Sequence, residues 1–226
     1  MKTLLILHGA IGAKEQLFPL GKALQQHYDC HFLNFEGHGK NSKLPTTLSI
    51  EGFAKNVLAY MEQHKILKAD IFGYSMGGYV ALFLACHYPK KANKIFTLAS
   101  KFNWNEQSAT KESRMLDPAI IEQKVPHFAH TLRERHSDWK GLLEKTANMM
   151  LHMGQQPPLR QANFEKIFHP TRIATGDKDS MVPPEETLEV YRMLPNATFC
   201  VFSNTAHPIE KYDVSKLSGE IINFFN

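Results

Sequence analysis

The 226-residue chain has few cysteines, no long apolar run and no block of like charge, and each absence removes a class of protein. Cys30, Cys86 and Cys200 are odd in number and far apart, without a CxxC pair, so neither a disulfide framework nor a cysteine-bound zinc is expected. They read as buried thiols. Of the histidines, His127 and His130 read as helix surface, and no metal or other cofactor is expected. No apolar run approaches the roughly 20 residues of a membrane helix, and Leu4–Leu7 is far shorter than a signal-peptide core. A cytoplasmic protein without membrane association is the expectation. The formal net charge of +4 comes from 26 basic and 22 acidic side chains that are scattered, which is ordinary solvated surface and does not imply nucleic acid.

What is present is a hydrophobic content of 43%, enough for a substantial core in one domain. Short apolar runs at 2–7, 30–35, 69–73, 95–99, 171–175 and 198–202 read as strands. Between them lie helical patterns at 16–27, 50–64, from Ser75 to about Tyr88, 184–193 and 214–225. Strands apolar on both faces that alternate with helices predict an α/β fold with a mostly parallel, doubly wound sheet. In such sheets ligands bind beyond the carboxyl ends of the strands, so the loops after Leu7, Phe35, Gly73 and Thr175 are where chemistry is sought. The alternation stops between residues 101 and 169. That segment shows helical patterns at 118–124, 126–135 and 138–153 and no good strand, and it reads as a helical cap inserted into a core of residues 1–100 and 170–226.

Gly73-Tyr74-Ser75-Met76-Gly77 is a G-x-S-x-G motif between a strand and a helix, the setting of a nucleophile elbow. The glycines clear space for a sharp turn that aims the Ser75 hydroxyl at a helix N-terminus. A serine hydroxyl needs a base within hydrogen-bond reach, itself oriented by a carboxylate. Asp177 and Asp179 both follow the fifth strand. Asp179 is preferred as the acid, because Asp177 sits against the strand end and suits a turn-fixing role. His207, in the loop after the last strand, is the expected base; His8 and His38 precede the elbow, contrary to the order serine, acid, histidine. Two backbone donors must meet the negative oxygen formed in acyl transfer. Met76 N–H is one, and Ala10 N–H the expected second, with Ile11 as its alternative.

These residues resemble the α/β-hydrolase superfamily. His8-Gly9 resembles its oxyanion loop, the stretch Phe35 to Ser42 its G-H-G-x-S turn, Gly73–Gly77 its elbow, Asp177–Pro183 its acid loop and His207 its terminal base. Asn41 is an extra residue in the turn, and Asn34 stands where an aspartate is frequent. The resemblance runs from about residue 3 to the end apart from the insertion and implies a minimal core without a leading hairpin.

The function expected is a serine hydrolase that cleaves a small carboxylic ester or thioester through an acyl-enzyme on Ser75, with a small-molecule substrate as its partner. A carbon–carbon bond hydrolase or lyase using the same triad is the enzymatic alternative. A ligand-binding protein without turnover is the other, and the joint presence of nucleophile, acid and base argues against it. Trp104, Phe128, Trp139 and Met150 are the expected substrate contacts, offering apolar, adaptable surface. Lys101, Arg114, Arg133 and Arg135 could bind an acidic group or simply be solvated.

Overall fold

In the computed structural model, which describes residues 1–226, six strands form one sheet. They are β1 (Lys2–Leu7), β2 (Tyr28–Phe32), β3 (Ala69–Tyr74), β4 (Ala92–Leu98), β5 (Thr171–Gly176) and β6 (Ala197–Phe202). Their order is β2-β1-β3-β4-β5-β6, and every pairing is parallel. Side chains that alternate across the pleat explain why the inner strand β1 is apolar on both faces, whereas the edge strand β2 carries Asp29 and His31. Leu5 and Leu7 enter one core while Leu4 and Ile6 enter the other, and Ile71 and Phe72 divide in the same way.

Helices α1 (Phe18–Leu24) and α10 (Val214–Phe225) cover one face. The opposite face carries α2 (Ile50–Gln63), α3 (Met76–His87) and α9 (Pro184–Met193). Ser49 caps α2 by accepting the N–H of Gly52 at 3.0 Å, and Ile50, Phe53, Ala54, Val57 and Met61 form its buried stripe. Helix α3 is buried from Met76 through Ala85 because it lies between the sheet and α2, so its sequence has no polar face. Each of its large apolar side chains contributes about 1.5–3 kcal/mol by leaving water.

The segment between β4 and β5 contains no strand. It holds α4 (Glu106–Arg114), α5 (Pro118–Lys124), α6 (Pro126–Arg135), α7 (Trp139–Gln155) and α8 (Gln161–Phe164). Proline occupies the first turn of α5 and of α6, as expected from its missing N–H. Helix α4 departs from the sequence expectation, which placed no helix there. Its stretch EQSATKESR lacks an apolar stripe; it is held by the reciprocal cap of Asn105 and Ser108 and by Ala109, which abuts Gly154 of α7.

Two further differences lie near the N-terminus. The expected helix 16–27 is a 3-10 turn (Lys14–Leu17) followed by the shorter α1, whose first turn contains Pro19. Strand β2 ends at Phe32 rather than at Phe35, because Phe35 N–H turns away from the sheet to donate to His8 Nε2 at 3.2 Å. The topology places the site. From β1 the chain steps outward to β2 and then returns to β3 on the other side, so β1 and β3 are neighbours with Leu7 opposite Gly73. Their following loops meet at the carboxyl edge where strand order reverses, which is where open α/β sheets bind ligands. No helix is long and apolar enough to cross a membrane.

Candidate active site

Ser75 joins β3 to α3 at φ 52°, ψ −118°, a conformation that L-residues rarely adopt. Its N–H donates to Leu98 O at 2.7 Å, and its carbonyl starts α3 by accepting the N–H of Gly78 at 3.0 Å. The flanking glycines make this turn possible. A Cβ on Gly77 would lie 2.5 Å from Leu7 O and 2.8 Å from His8 O, and one on Gly73 would strike the backbone of Gly77 and Gly78. Backbone cannot rotate out of the way as a side chain can.

Ser75 Oγ lies 3.3 Å from His207 Nε2, and His207 Nδ1 lies 2.7 Å from Asp179 Oδ2. A carboxylate only accepts, so Nδ1 carries the proton and Nε2 offers a lone pair to the serine hydroxyl. The Asp179 side chain is fully buried and also accepts the N–H groups of Met181 (2.9 Å) and Val182 (2.8 Å) on Oδ1. Asp177 has another task. It accepts Thr205 N–H at 3.0 Å, and the backbone N–H groups of Asn204 and Thr205 hold its carboxyl below the usual range. It thus ties the β5 loop to the His207 loop. Tyr74, which the motif reading passed over, adds a second tie: its hydroxyl donates to His207 O at 3.1 Å.

Ala10, Ile11 and Met76 all line the cavity in front of Ser75, and none of their backbone N–H groups donates to a protein carbonyl. Ile11 has φ 50°, and two donors from the insertion hold its carbonyl: His136 Nε2 at 2.9 Å and Arg135 Nη1 at 3.3 Å. His136 Nδ1 in turn accepts Gly39 N–H at 2.9 Å, so the ring is neutral with its proton on Nε2. One imidazole at the end of α6 therefore fastens the loop after β1 to the glycine turn 37–39.

Beneath it lie His8 and His38, 5.0 Å apart between ring centroids, with His136 a further 5.8 Å from His38. Burial is the main cause that pushes His8 down to about 3 and His136 to about 4, and it holds His38 well below its ordinary value. All three are uncharged packing and hydrogen-bonding groups at neutral pH. No motif distinguishes His136, which is 125 residues from Ile11 in the chain. His127 and His130 lie exposed on α6.

The cavity over Ser75 has a volume of about 450 Å³ and is lined mainly by apolar side chains. Trp104, Phe128 and Met150, expected as substrate contacts, belong to its wall, together with Met149, Met153 and Tyr79. Trp139 does not. It is buried among Ile121, Leu132 and Leu143 and holds α5, α6 and α7 together, since a helix-packing seam inside the insertion gains more from its area than an open wall does. Lys101 is committed to Glu186, with an Nζ–Oε2 separation of 3.0 Å, and Arg114 is exposed. Arg133 pairs with Glu122 at the surface, whereas Arg135 reaches the cavity.

A sheet with this order and a serine on a strained strand-to-helix turn define the class. The family model of the alpha/beta hydrolase fold matches residues 2–131, and the chain belongs to that family; it is a hydrolase. It is 25% identical over 228 residues to the pimeloyl-acyl-carrier-protein methyl ester esterase of Neisseria meningitidis, covering 92% of this chain and 87% of that one. Among solved structures it is similar to a thermophilic esterase from Thermogutta terrifontis, with a TM-score of 0.81 at 17% identity over 100% of this chain and 89% of that one. It is also similar to the enol-lactonase from Burkholderia xenovorans, with a TM-score of 0.78 at 18% identity, covering 99% and 91%.

Proposed function

We propose that the protein is a serine esterase or thioesterase acting on a small carboxylic substrate through an acyl-enzyme on Ser75. The observation that carries this reading is the continuous line from Ser75 Oγ through His207 to Asp179, with separations of 3.3 and 2.7 Å, opening into an apolar cavity. As Ser75 Oγ attacks the carbonyl carbon, its proton passes to His207 Nε2, and Asp179 stabilises the imidazolium and keeps its orientation. The carbonyl oxygen becomes an oxyanion beside the N–H groups of Met76 and Ala10, each worth about 3–4 kcal/mol in the transition state. His207 returns its proton to the leaving alcohol or thiol as the tetrahedral carbon collapses to the ester of Ser75. Water, deprotonated by the same imidazole, then discharges the acyl group. Trp104, Phe128 and Met150 accept the apolar part of the acyl chain, and the insertion over the sheet edge serves as the cap that shields it. The methyl ester esterase relative supports an ester as the scissile bond.

Fluorophosphonate labelling followed by peptide mapping tests this directly, combined with pre-steady-state kinetics on p-nitrophenyl esters. Modification of Ser75 and a burst of nitrophenolate equal to the enzyme concentration are expected. Turnover without any burst or acyl-enzyme would point to carbon–carbon or lyase chemistry, and saturable binding without turnover to a binding protein.

A further inference from the structure

Four charged side chains besides the histidine line the cavity over Ser75: Lys101, Glu112, Arg135 and Glu210. Three of them are occupied. Lys101 bonds Glu186, Arg135 donates to Ile11 O, and Glu210 accepts from Gln16 Nε2 at 2.7 Å. Glu112 has no hydrogen-bond or ionic partner in the protein, although the residue is only 4% exposed. Its carboxylate oxygens are absent from the sealed, unpartnered polar atoms, so its remaining accessible surface opens into the cavity it lines.

The position follows from α4. Ala109 abuts Gly154 of α7, and Glu112 is one turn further along the same face, which brings it into the wall with Met149, Met150 and Met153. A buried carboxylate among thioethers is costly unless it is bound, and buried polar groups are nearly always bound. Nothing in the protein binds this one.

We propose that Glu112 is a specificity-determining residue that receives a hydrogen-bond-donating cation, an ammonium group, carried by the substrate's acyl part away from the scissile bond. The inference rests on reading the cavity at Ser75 as the substrate site. The wall suits such a chain: methionines flank an alkyl stem, and Phe128 lines the same cavity. A carboxylate at that end of the substrate would meet the like charge of Glu112.

The test measures binding rather than turnover, so it stands apart from the nucleophile assignment. Ser75→Ala protein is titrated calorimetrically with N-methyl ω-aminoacyl amides of increasing chain length, and with their ω-methyl and ω-carboxy counterparts. The best ω-amino ligand should bind about tenfold or more tighter than its ω-methyl counterpart, the usual scale of a charge-assisted hydrogen bond. Adding Glu112→Gln, which keeps the shape and removes the charge, should cut that preference severalfold, and Glu112→Leu should abolish it. If Glu112→Leu does not fold, the glutamine variant carries the comparison. Equal binding of the ω-amino and ω-methyl ligands, an unchanged preference in Glu112→Gln, or tighter binding of the ω-carboxy ligand would overturn the proposal.

Discussion

Ser75 is held at φ 52° by a turn that leaves its side chain free to face the cavity, and a non-glycine residue there stores strain of about 1–3 kcal/mol. The strain is the cost of presenting Oγ clear of the strand and the helix. Replacing Ser75, the proposed nucleophile, should therefore separate activity from stability. Ser75→Ala and His207→Ala are each expected to lower kcat by several orders of magnitude with circular dichroism unchanged. Ser75→Gly, equally inactive, should melt above Ser75→Ala by about 1 kcal/mol equivalent, because glycine accepts positive φ without penalty. A melting temperature no higher than that of the alanine variant would mean that the turn is relaxed. Asp179 shows the same economy at a buried position, where one carboxylate orients His207 and closes the loop to Met181 and Val182.

At the level of elements, the helical segment between β4 and β5 reaches back to the loop after β1. Helix α6 ends in His136, whose two ring nitrogens bond the loop after β1 and the glycine turn. The proposed oxyanion donor Ala10 directly precedes Ile11, whose carbonyl receives that bond. Removing the imidazole should loosen the donor without touching substrate, which makes His136 a positioning residue. His136→Leu is expected to lower kcat about tenfold or more while changing KM little, since Ile11 O keeps only the longer bond from Arg135 and the buried Gly39 N–H is left unbound, at a cost of about 1–3 kcal/mol. His136→Gln, which keeps one donor and one acceptor, should recover part of the loss. Steady-state kinetics of both variants check this; a loss confined to KM would assign His136 to substrate binding instead.

For the whole molecule, the cluster of His8, His38 and His136 makes stability depend on pH. Folding holds His8 at about 3 and His136 at about 4, against an ordinary value of 6.5, so the unfolded chain binds protons that the folded chain refuses. This contribution is fully present above pH 6.5 and is lost progressively as pH falls through 6.5 toward the folded values of about 4 and 3. Thermal melts from pH 7.5 down to about pH 4 should show a steadily falling melting temperature. His136→Gln should reduce the slope, because one of the refusing groups is gone. A flat profile would show that the cluster opens to water before the protein unfolds.

The amino-acid sequence by itself determined the fold class and the candidate chemistry. Strands buried on both faces must be mainly apolar, and the sharp turn of the elbow requires glycine at 73, where a Cβ would strike Gly77 and Gly78, so both leave local marks. Loop position also separates Asp177 from Asp179, and the structure puts Asp179 beside His207 and Asp177 on Thr205 N–H. The tertiary structure alone decided what depends on distant packing. Helix α4 carries almost no apolar stripe, because its buried side chains meet a glycine of α7 and the cavity rather than a flat core. Trp104 and Trp139 look equivalent in the chain, yet one lines the cavity and the other seals a helix seam. His136 and Glu112 draw their interest from residues far away in sequence or from the absence of any partner. Periodicity and motif spacing record local geometry, whereas the partner of a buried polar group is set only when remote segments meet.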